Sequence, residues 1–207
     1  MVRTVTTDAG SQPASAVRDR IPMAGRATAR LAGAFYLLTI AAGVSAMLLG
    51  RHDAARWSDA ANLVGAAAYV MVTILLFRLL RPTSRLWSTI AVVFSLSGCV
   101  TGALGFLHIA IMPINSLVLF GGYCVLTGCV MLRSPLFPTS VGALMIMAGL
   151  GWLTFVSPVA ARNAAPLNMV AGIAGESVLT IWLLVAPVAR FGEDHLTGAR
   201  PTPPSRW

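Results

Sequence analysis

Six long apolar runs constrain this chain more than any other feature of its sequence. They cover residues 31–50, 60–80, about 86–111, 115–132, 136–159 and 167–188. A helix needs about 20 mostly apolar residues to cross a bilayer, and each run is near or above that length. The runs are continuously apolar, whereas strands of a membrane barrel alternate apolar and polar residues over about ten positions. The sequence therefore predicts an all-α fold, a six-helix transmembrane bundle.

The composition agrees with a membrane environment. Of the 207 residues, 57% are hydrophobic and 11% are charged, and the mean hydropathy is +0.77. Soluble domains carry about 25% charged residues, so this chain has few charges with which to cover a water-exposed surface. The composition disfavours a soluble enzyme, a disordered regulator and a secreted disulfide scaffold.

The positive charge of the chain comes from arginine alone. All 15 basic residues are Arg, the net charge is +8, and the arginines lie mostly at the ends of apolar runs. We interpret them as topology signals and as contacts to anionic lipid headgroups, not as a nucleic-acid binding site. Twelve fall on the side of the N-terminal tail, and Arg51, Arg56 and Arg162 fall on the other. This asymmetry predicts a multi-pass protein of the inner membrane with both termini in the cytoplasm.

The two ends of the chain are polar, unlike its middle. Residues 1–28 carry no apolar segment of the kind found in a secretory signal. The sequence predicts disordered cytoplasmic tails at 1–28 and 191–207 on either side of a transmembrane domain at 29–190. Met1 and Met23 are both candidate start residues.

Three segments resemble a known family. RLAGAFYLLTIAAG (30–43), RSPLFPTSVGALMIMAGLGWL (133–153) and GESVLTIWLL (175–184) are similar, in order and spacing, to the bacterial membrane family called domain of unknown function 4386. The resemblance runs from about residue 26 to 190. It implies six membrane helices and a Gly-Glu pair in the last one (here Gly175 and Glu176). It does not point to any particular activity. Family members often carry a polar residue or His near the position of Tyr123, where this chain departs from the family.

Glu176 is the acidic residue that lies inside a predicted span. It falls near the bilayer midplane, where a charged side chain costs about 2.5–3.5 kcal/mol on insertion scales. Two interpretations stay open. Glu176 is either a functional carboxyl with a partner, or a protonated carboxyl that hydrogen-bonds to a neighbouring helix.

Other polar residues extend this candidate site. Asn168, Gly172, Glu176 and Thr180 recur at every fourth position and form one stripe on the sixth predicted helix. Counted from the outer end of each run, a hydroxyl on four further helices lies at about the depth of Glu176. The candidate ligand-binding residues are Thr39, Tyr69, Thr101, Tyr123, Asn168, Glu176 and Thr180. The sequence predicts no catalytic residue, no metal ligand and no cofactor.

Small residues in the third run predict close helix packing. Gly98, Gly102 and Gly105 are spaced so that another helix backbone can approach them. The partner helix belongs either to the same bundle or to another chain. A homo-oligomer and a membrane-protein partner therefore both stay open.

Three classes of function remain. The first is a protein that binds or passes a small or protonatable ligand at the mid-membrane polar layer around Glu176. The second is an accessory or structural membrane subunit without chemistry of its own. The third, an intramembrane enzyme, is disfavoured because Ser97 and His108 lie on one run, whereas a Ser–His pair needs separate helices.

Overall fold

The computed structural model describes residues 20–52, 54–109 and 115–196, and within these ranges the chain is helical, with no strand. The helices are α1 (Arg20–Gly50), α2 (Ala55–Leu80), α3 (Arg85–Phe106), α4 (Ser116–Leu132), α5 (Thr139–Leu153), α6 (Pro158–Ala164) and α7 (Leu167–Leu196). A short 3-10 turn, Thr154–Val156, follows α5. The predicted all-α class is confirmed for the described residues.

Five of the described helices are long and apolar enough to cross a membrane. They are α1, α2, α3, α5 with its 3-10 turn, and α7. The apolar helix α4 has 17 residues, which gives a length of about 26 Å against a hydrocarbon core of about 30 Å. Six spans were predicted, and five of the described helices are both long enough and apolar enough to cross a membrane.

The six longer helices pack in chain order and close into a ring. Each of α1 to α5 contacts the next long helix along the chain, and α7 contacts both α5 and α1. The connections between α1 and α2 and between α2 and α3 are short, so these neighbours run antiparallel. We call the end at which α1 and α3 end and α2 and α4 begin the outer end of the bundle.

Apolar side chains are buried between the helices and also cover the outside of the ring. Tyr36, Leu76 and Met131 are fully buried, while Val93 and Ile181 are more than half exposed. A soluble protein rarely exposes apolar side chains along most of its helices. This outer surface is typical of helices that face lipid.

The third helix ends before its apolar run does. Residues up to about 111 were expected in the third span, but α3 ends at Phe106, and residues 110 and 111 lie outside the described ranges. His108 has a φ of 57°. The N–H of His108 donates to the carbonyl of Gly105 (3.0 Å), and that of Ile109 donates to the carbonyl of Leu104 (2.9 Å). These two bonds form a Schellman motif, which satisfies the last carbonyls and turns the chain out of the helix.

A proline interrupts the predicted fifth span of 136–159. Ser157, the residue before Pro158, is extended (φ −134°, ψ 130°), as sterics before proline require. Pro158 then occupies the first position of α6, where its missing N–H costs no helical bond. The apolar run is therefore divided into α5, the 3-10 turn and the start of α6.

Two helices extend past the predicted domain boundaries. α1 begins at Arg20, inside the tail expected at 1–28, and α7 continues to Leu196, beyond the boundary expected at 190. Residues 20–28 contain Arg, Ala and Met, which are good helix formers, and Pro22 lies in the first turn, where proline is tolerated. The remaining parts of both expected tails, 1–19 and 197–207, lie outside the described residues.

Candidate functional site

A cavity of about 210 Å³ lies between the six longer helices. Glu176 and Tyr69 line it near the middle of the bundle, and Asn62, Phe106 and Ser116 line it toward the outer end. Among the described residues, no arginine or histidine side chain lines it. We call this space the Glu176 cavity.

One oxygen of the Glu176 carboxyl is held by the protein. Trp152 Nε1 donates to Oε1 at 3.2 Å, and Cys124 Sγ donates more weakly to the same oxygen at 3.7 Å. Within the described part of the chain, no hydrogen bond reaches the second oxygen, Oε2. The carboxyl therefore combines a fixed orientation with unused hydrogen-bonding capacity beside the cavity.

Two glycines bring Glu176 close enough to α5 for this contact. A Cβ atom at Gly172 would collide with the indole ring of Trp152, and one at Gly175 would collide with the carbonyl oxygen of Leu144. Only the absence of both side chains lets α7 approach α5 at this depth. The Gly-Glu pair therefore positions the carboxyl next to its Trp152 donor.

The structure brings three of the seven predicted ligand-binding residues to the Glu176 cavity. These are Thr39, Tyr69 and Glu176. The single hydroxyl proton of Thr39 is shared between the carbonyls of Phe35 (3.0 Å) and Gly65 (3.4 Å), so this donor is already used within the protein.

The other four predicted residues lie elsewhere. Asn168 donates to the Thr154 hydroxyl at 3.0 Å and to the carbonyl of Ala161 at 3.1 Å, so it fastens the start of α7 to the 3-10 turn and α6. Thr180 donates to the backbone carbonyl of Glu176 at 2.7 Å. Thr101 is half-buried on α3 and does not line the cavity.

Tyr123 faces a second, smaller space. Its ring lies 5.8 Å from that of Tyr69, centroid to centroid, and its side chain lines a cavity of about 10 Å³ with Thr73, Ser88 and Thr127. The hydroxyls of Ser88, Tyr123 and Thr127 are buried and have no hydrogen-bond partner among the described residues. Thr73 is paired, since its hydroxyl bonds to that of Ser95. We call this space the hydroxyl pocket.

Sequence reasoning missed the residues that hold the carboxyl. Trp152 gave a usable signal, because a buried indole N–H needs an acceptor, and Glu176 is the acidic residue within the apolar runs. Cys124 gave none, since a cysteine in an apolar run usually acts as a small packing residue. Its bond to Glu176 depends on how α4 is rotated against α7.

The glycines expected to mediate helix packing have different surroundings. Gly98 lies against the Phe120 ring, and Gly102 lies near the Ser116 hydroxyl; both line the Glu176 cavity. Nothing among the described residues lies within 4 Å of where a Cβ of Gly105 would be. The close backbone contacts occur between α4 and α5 and between α5 and α7 instead.

Comparison with known proteins gives a family match for the later part of the chain. Residues 114–186 match the family described as Domain of unknown function (DUF4386). The match confirms the predicted family resemblance over these residues, which include α4, α5, α6 and the Gly-Glu pair on α7. The segment at 30–43 lies outside it. No curated protein and no solved structure matches the chain.

Proposed function

We propose that this chain is an integral membrane protein with six spans that binds or passes a small or protonatable ligand at the Glu176 cavity. Both termini lie in the cytoplasm, and the membrane is the bacterial inner membrane. The observation that carries the ligand site is the Glu176 carboxyl, which lines a cavity reached by all six longer helices while Oε2 takes no hydrogen bond from the described residues.

The packing of α4 supports a sixth span. Of its 17 residues, only Cys129 and Leu132 are exposed. A helix that is mostly covered by its neighbours needs less apolar length than one that faces lipid along its whole side. Both neighbours of α4 along the chain, α3 and α5, pack against it, and both are long enough to cross the membrane. The chain therefore returns through the bilayer at α4, between these two spans.

The arginine distribution supports the orientation. Arg81, Arg85 and Arg133 lie at the same end of the bundle as the start of α1, and Arg51 and Arg56 lie at the outer end. A reporter that works only in the cytoplasm should be active when fused after Trp207 and silent when fused within 51–59. Activity at 51–59 would contradict the orientation.

Carboxyl labelling tests the ligand site. An apolar carbodiimide, dicyclohexylcarbodiimide, reaches carboxyl groups in apolar surroundings, so it should modify Glu176 in the protein purified in a maltoside detergent. Peptide mass spectrometry distinguishes Glu176 from Asp59, a partly exposed carboxyl at the outer end that a water-soluble carbodiimide should reach instead. Glu176→Gln is the matched control and should leave its peptide unmodified. If Glu176 stays unmodified in the wild-type protein, the ligand site is excluded, and an accessory or structural subunit becomes the better assignment.

A further inference from the structure

Four aromatic side chains line the cavity together with the Glu176 carboxyl. They are Tyr69, Phe106, Phe120 and Trp152. The rings of Tyr69 and Phe120 lie edge to face with their centroids 4.8 Å apart, and Trp152 is hydrogen-bonded to the carboxyl itself. Aromatic rings attract organic cations through the negative charge on their faces, and cages of such rings bind quaternary ammonium groups.

The charges around the cavity point to the same class of ligand. Glu176 is the ionisable acid that lines it, and none of the described residues places a basic side chain there. Residues 110–114, outside the described ranges, have the sequence AIMPI and carry no ionisable side chain. Glu176 is half-buried, and a carboxylate withdrawn from water is costly unless an opposite charge accompanies it. A cationic ligand supplies that charge, whereas an anionic ligand adds a second negative charge.

The remaining groups disfavour a highly polar ligand. The Thr39 hydroxyl is bonded to two backbone carbonyls, and that of Tyr69 lies 3.4 Å from the Tyr36 hydroxyl. Asn62 and Ser116 are the other amide and hydroxyl side chains in the lining, both toward the outer end. The volume of about 210 Å³ lies below the range of roughly 300–1,000 Å³ for pockets that hold drug-sized ligands. The cavity therefore fits a small molecule with one charged group and apolar substituents.

We propose that the Glu176 cavity binds a small organic cation, an ammonium group that carries apolar substituents. The ammonium group pairs with the carboxylate, and the substituents contact the aromatic rings. This inference rests on the proposed function, because it names the class of ligand for the same site.

Protection from carbodiimide labelling tests the proposal with two molecules of nearly equal shape. Choline carries a trimethylammonium group, and its neutral isostere 3,3-dimethylbutan-1-ol carries a tert-butyl group in the same place. The protein is labelled at Glu176 in a maltoside detergent, which contains no ammonium group, with either compound at equal concentration. Choline should lower the labelling rate about tenfold more than the isostere does, the ratio expected when ion pairing and cation–π attraction favour the cation.

Equal effects of the two compounds, or no effect of either, would overturn the cationic ligand. Glu176 would still be modified in that case, so the cavity site itself would stand. A wild-type protein that is not modified at Glu176 at all would overturn both proposals.

A substitution within the aromatic lining separates the rings from the carboxyl. Phe120→Leu keeps an apolar side chain on α4 but removes one ring from the cavity. Choline protection is measured within each protein, as the ratio of the labelling rates with and without choline, and this protection should be severalfold smaller in Phe120→Leu than in the wild type. The matched control is Phe35→Leu on α1, because Phe35 packs against the buried core and does not line the cavity. Unchanged choline protection in Phe120→Leu would exclude a role for this ring in binding the cation.

Discussion

One side of α4 packs tightly against another helix, and the other side lines two cavities. Toward α5, Gly121 and Gly128 lie against backbone carbonyls of Gly149 and Gly142, and a Cβ atom at either α4 glycine would come within 3 Å of those oxygens. Toward α2 and α3, Phe120 and the hydroxyl residues of the same helix line the two cavities.

This difference shows how one helix can be both a rigid support and a cavity wall. Glycine lets two backbones touch, and this holds α5 close to α4, while Gly172 and Gly175 hold α7 close to α5. Cys124 and Trp152 then meet on one oxygen of Glu176. On the other side of α4, Phe120 lines the Glu176 cavity and Tyr123 lines the hydroxyl pocket.

The largest effect is expected from adding a side-chain atom at the close contact between α4 and α5. Gly149→Ala places a Cβ atom against the carbonyl of Gly121 and the N–H of Val125 on α4, and backbone atoms cannot move aside as a flexible side chain can. Overpacking of this kind should destabilise the protein by about 1–3 kcal/mol. The measurement is thermal or denaturant unfolding in detergent.

The matched control on another helix is Gly105→Ala. None of the described residues lies within 4 Å of the added methyl group. A helical Gly→Ala change without a collision should be neutral or stabilise by up to about 1 kcal/mol. Equal losses of stability in the two variants would contradict the backbone collision between α5 and α4 as the cause of the loss.

Glu176 is bonded to Cys124 on α4 and to Trp152 on α5, and it also lines the cavity. Substitutions of Glu176 should have the next largest effects. Glu176→Leu removes the acceptor of the Trp152 indole N–H and should destabilise the protein by about 1–2 kcal/mol. Glu176→Gln keeps a carbonyl oxygen that can accept the same bond, so its unfolding should stay close to that of the wild type. If Glu176→Gln unfolds as readily as Glu176→Leu, the Trp152 bond does not explain the stabilisation.

Trp152→Phe isolates the donor. Phenylalanine keeps an aromatic ring on α5 near Gly172 but has no N–H to hold Oε1. The stability should fall by about 1 kcal/mol, and the carbodiimide should modify Glu176 faster, because the carboxyl has lost its main hydrogen bond. Slower modification would show that Trp152 guides the reagent to the carboxyl instead of restraining the carboxyl.

Much of the fold could be predicted from local sequence patterns. The helical class followed from the length of the apolar runs, and their approximate positions match the described helices. The ends were harder to predict. The Schellman motif at His108 uses a residue other than glycine, and nothing in the apolar run marks it. Pro158, in contrast, was a readable break, because proline constrains the residue before it.

The candidate site was harder to predict, for a physical reason. Depth along the membrane can be counted from the helix ends, and it grouped Thr39 and Tyr69 with Glu176, which all line one cavity. Depth does not give the rotation of each helix about its axis. Rotation decides that Thr101 stays outside the cavity and that Trp152 and Cys124 reach the carboxyl.

The smallest effect is expected from a substitution in the hydroxyl pocket, on the side of α4 that faces α2 and α3. The Thr127 hydroxyl is fully buried and has no partner among the described residues. Thr127→Val keeps the shape of the side chain and replaces the hydroxyl with a methyl group. An unpaired buried hydroxyl is unfavourable, so the substitution should raise the unfolding free energy by up to about 1 kcal/mol.

Whether Thr127→Val raises or lowers the stability shows whether the hydroxyl pocket holds a water molecule. The pocket volume of about 10 Å³ lies at the lower limit for one water molecule, about 10–15 Å³. A water bound between the hydroxyls of Ser88, Tyr123 and Thr127 would pair all three, and Thr127→Val would then lower the stability. Thr73→Val is the matched comparison, since its hydroxyl is already bonded to Ser95 and to the carbonyl of Tyr69. Thr73→Val should destabilise whether or not the pocket holds water, so opposite signs for the two variants indicate a dry pocket and equal signs a hydrated one.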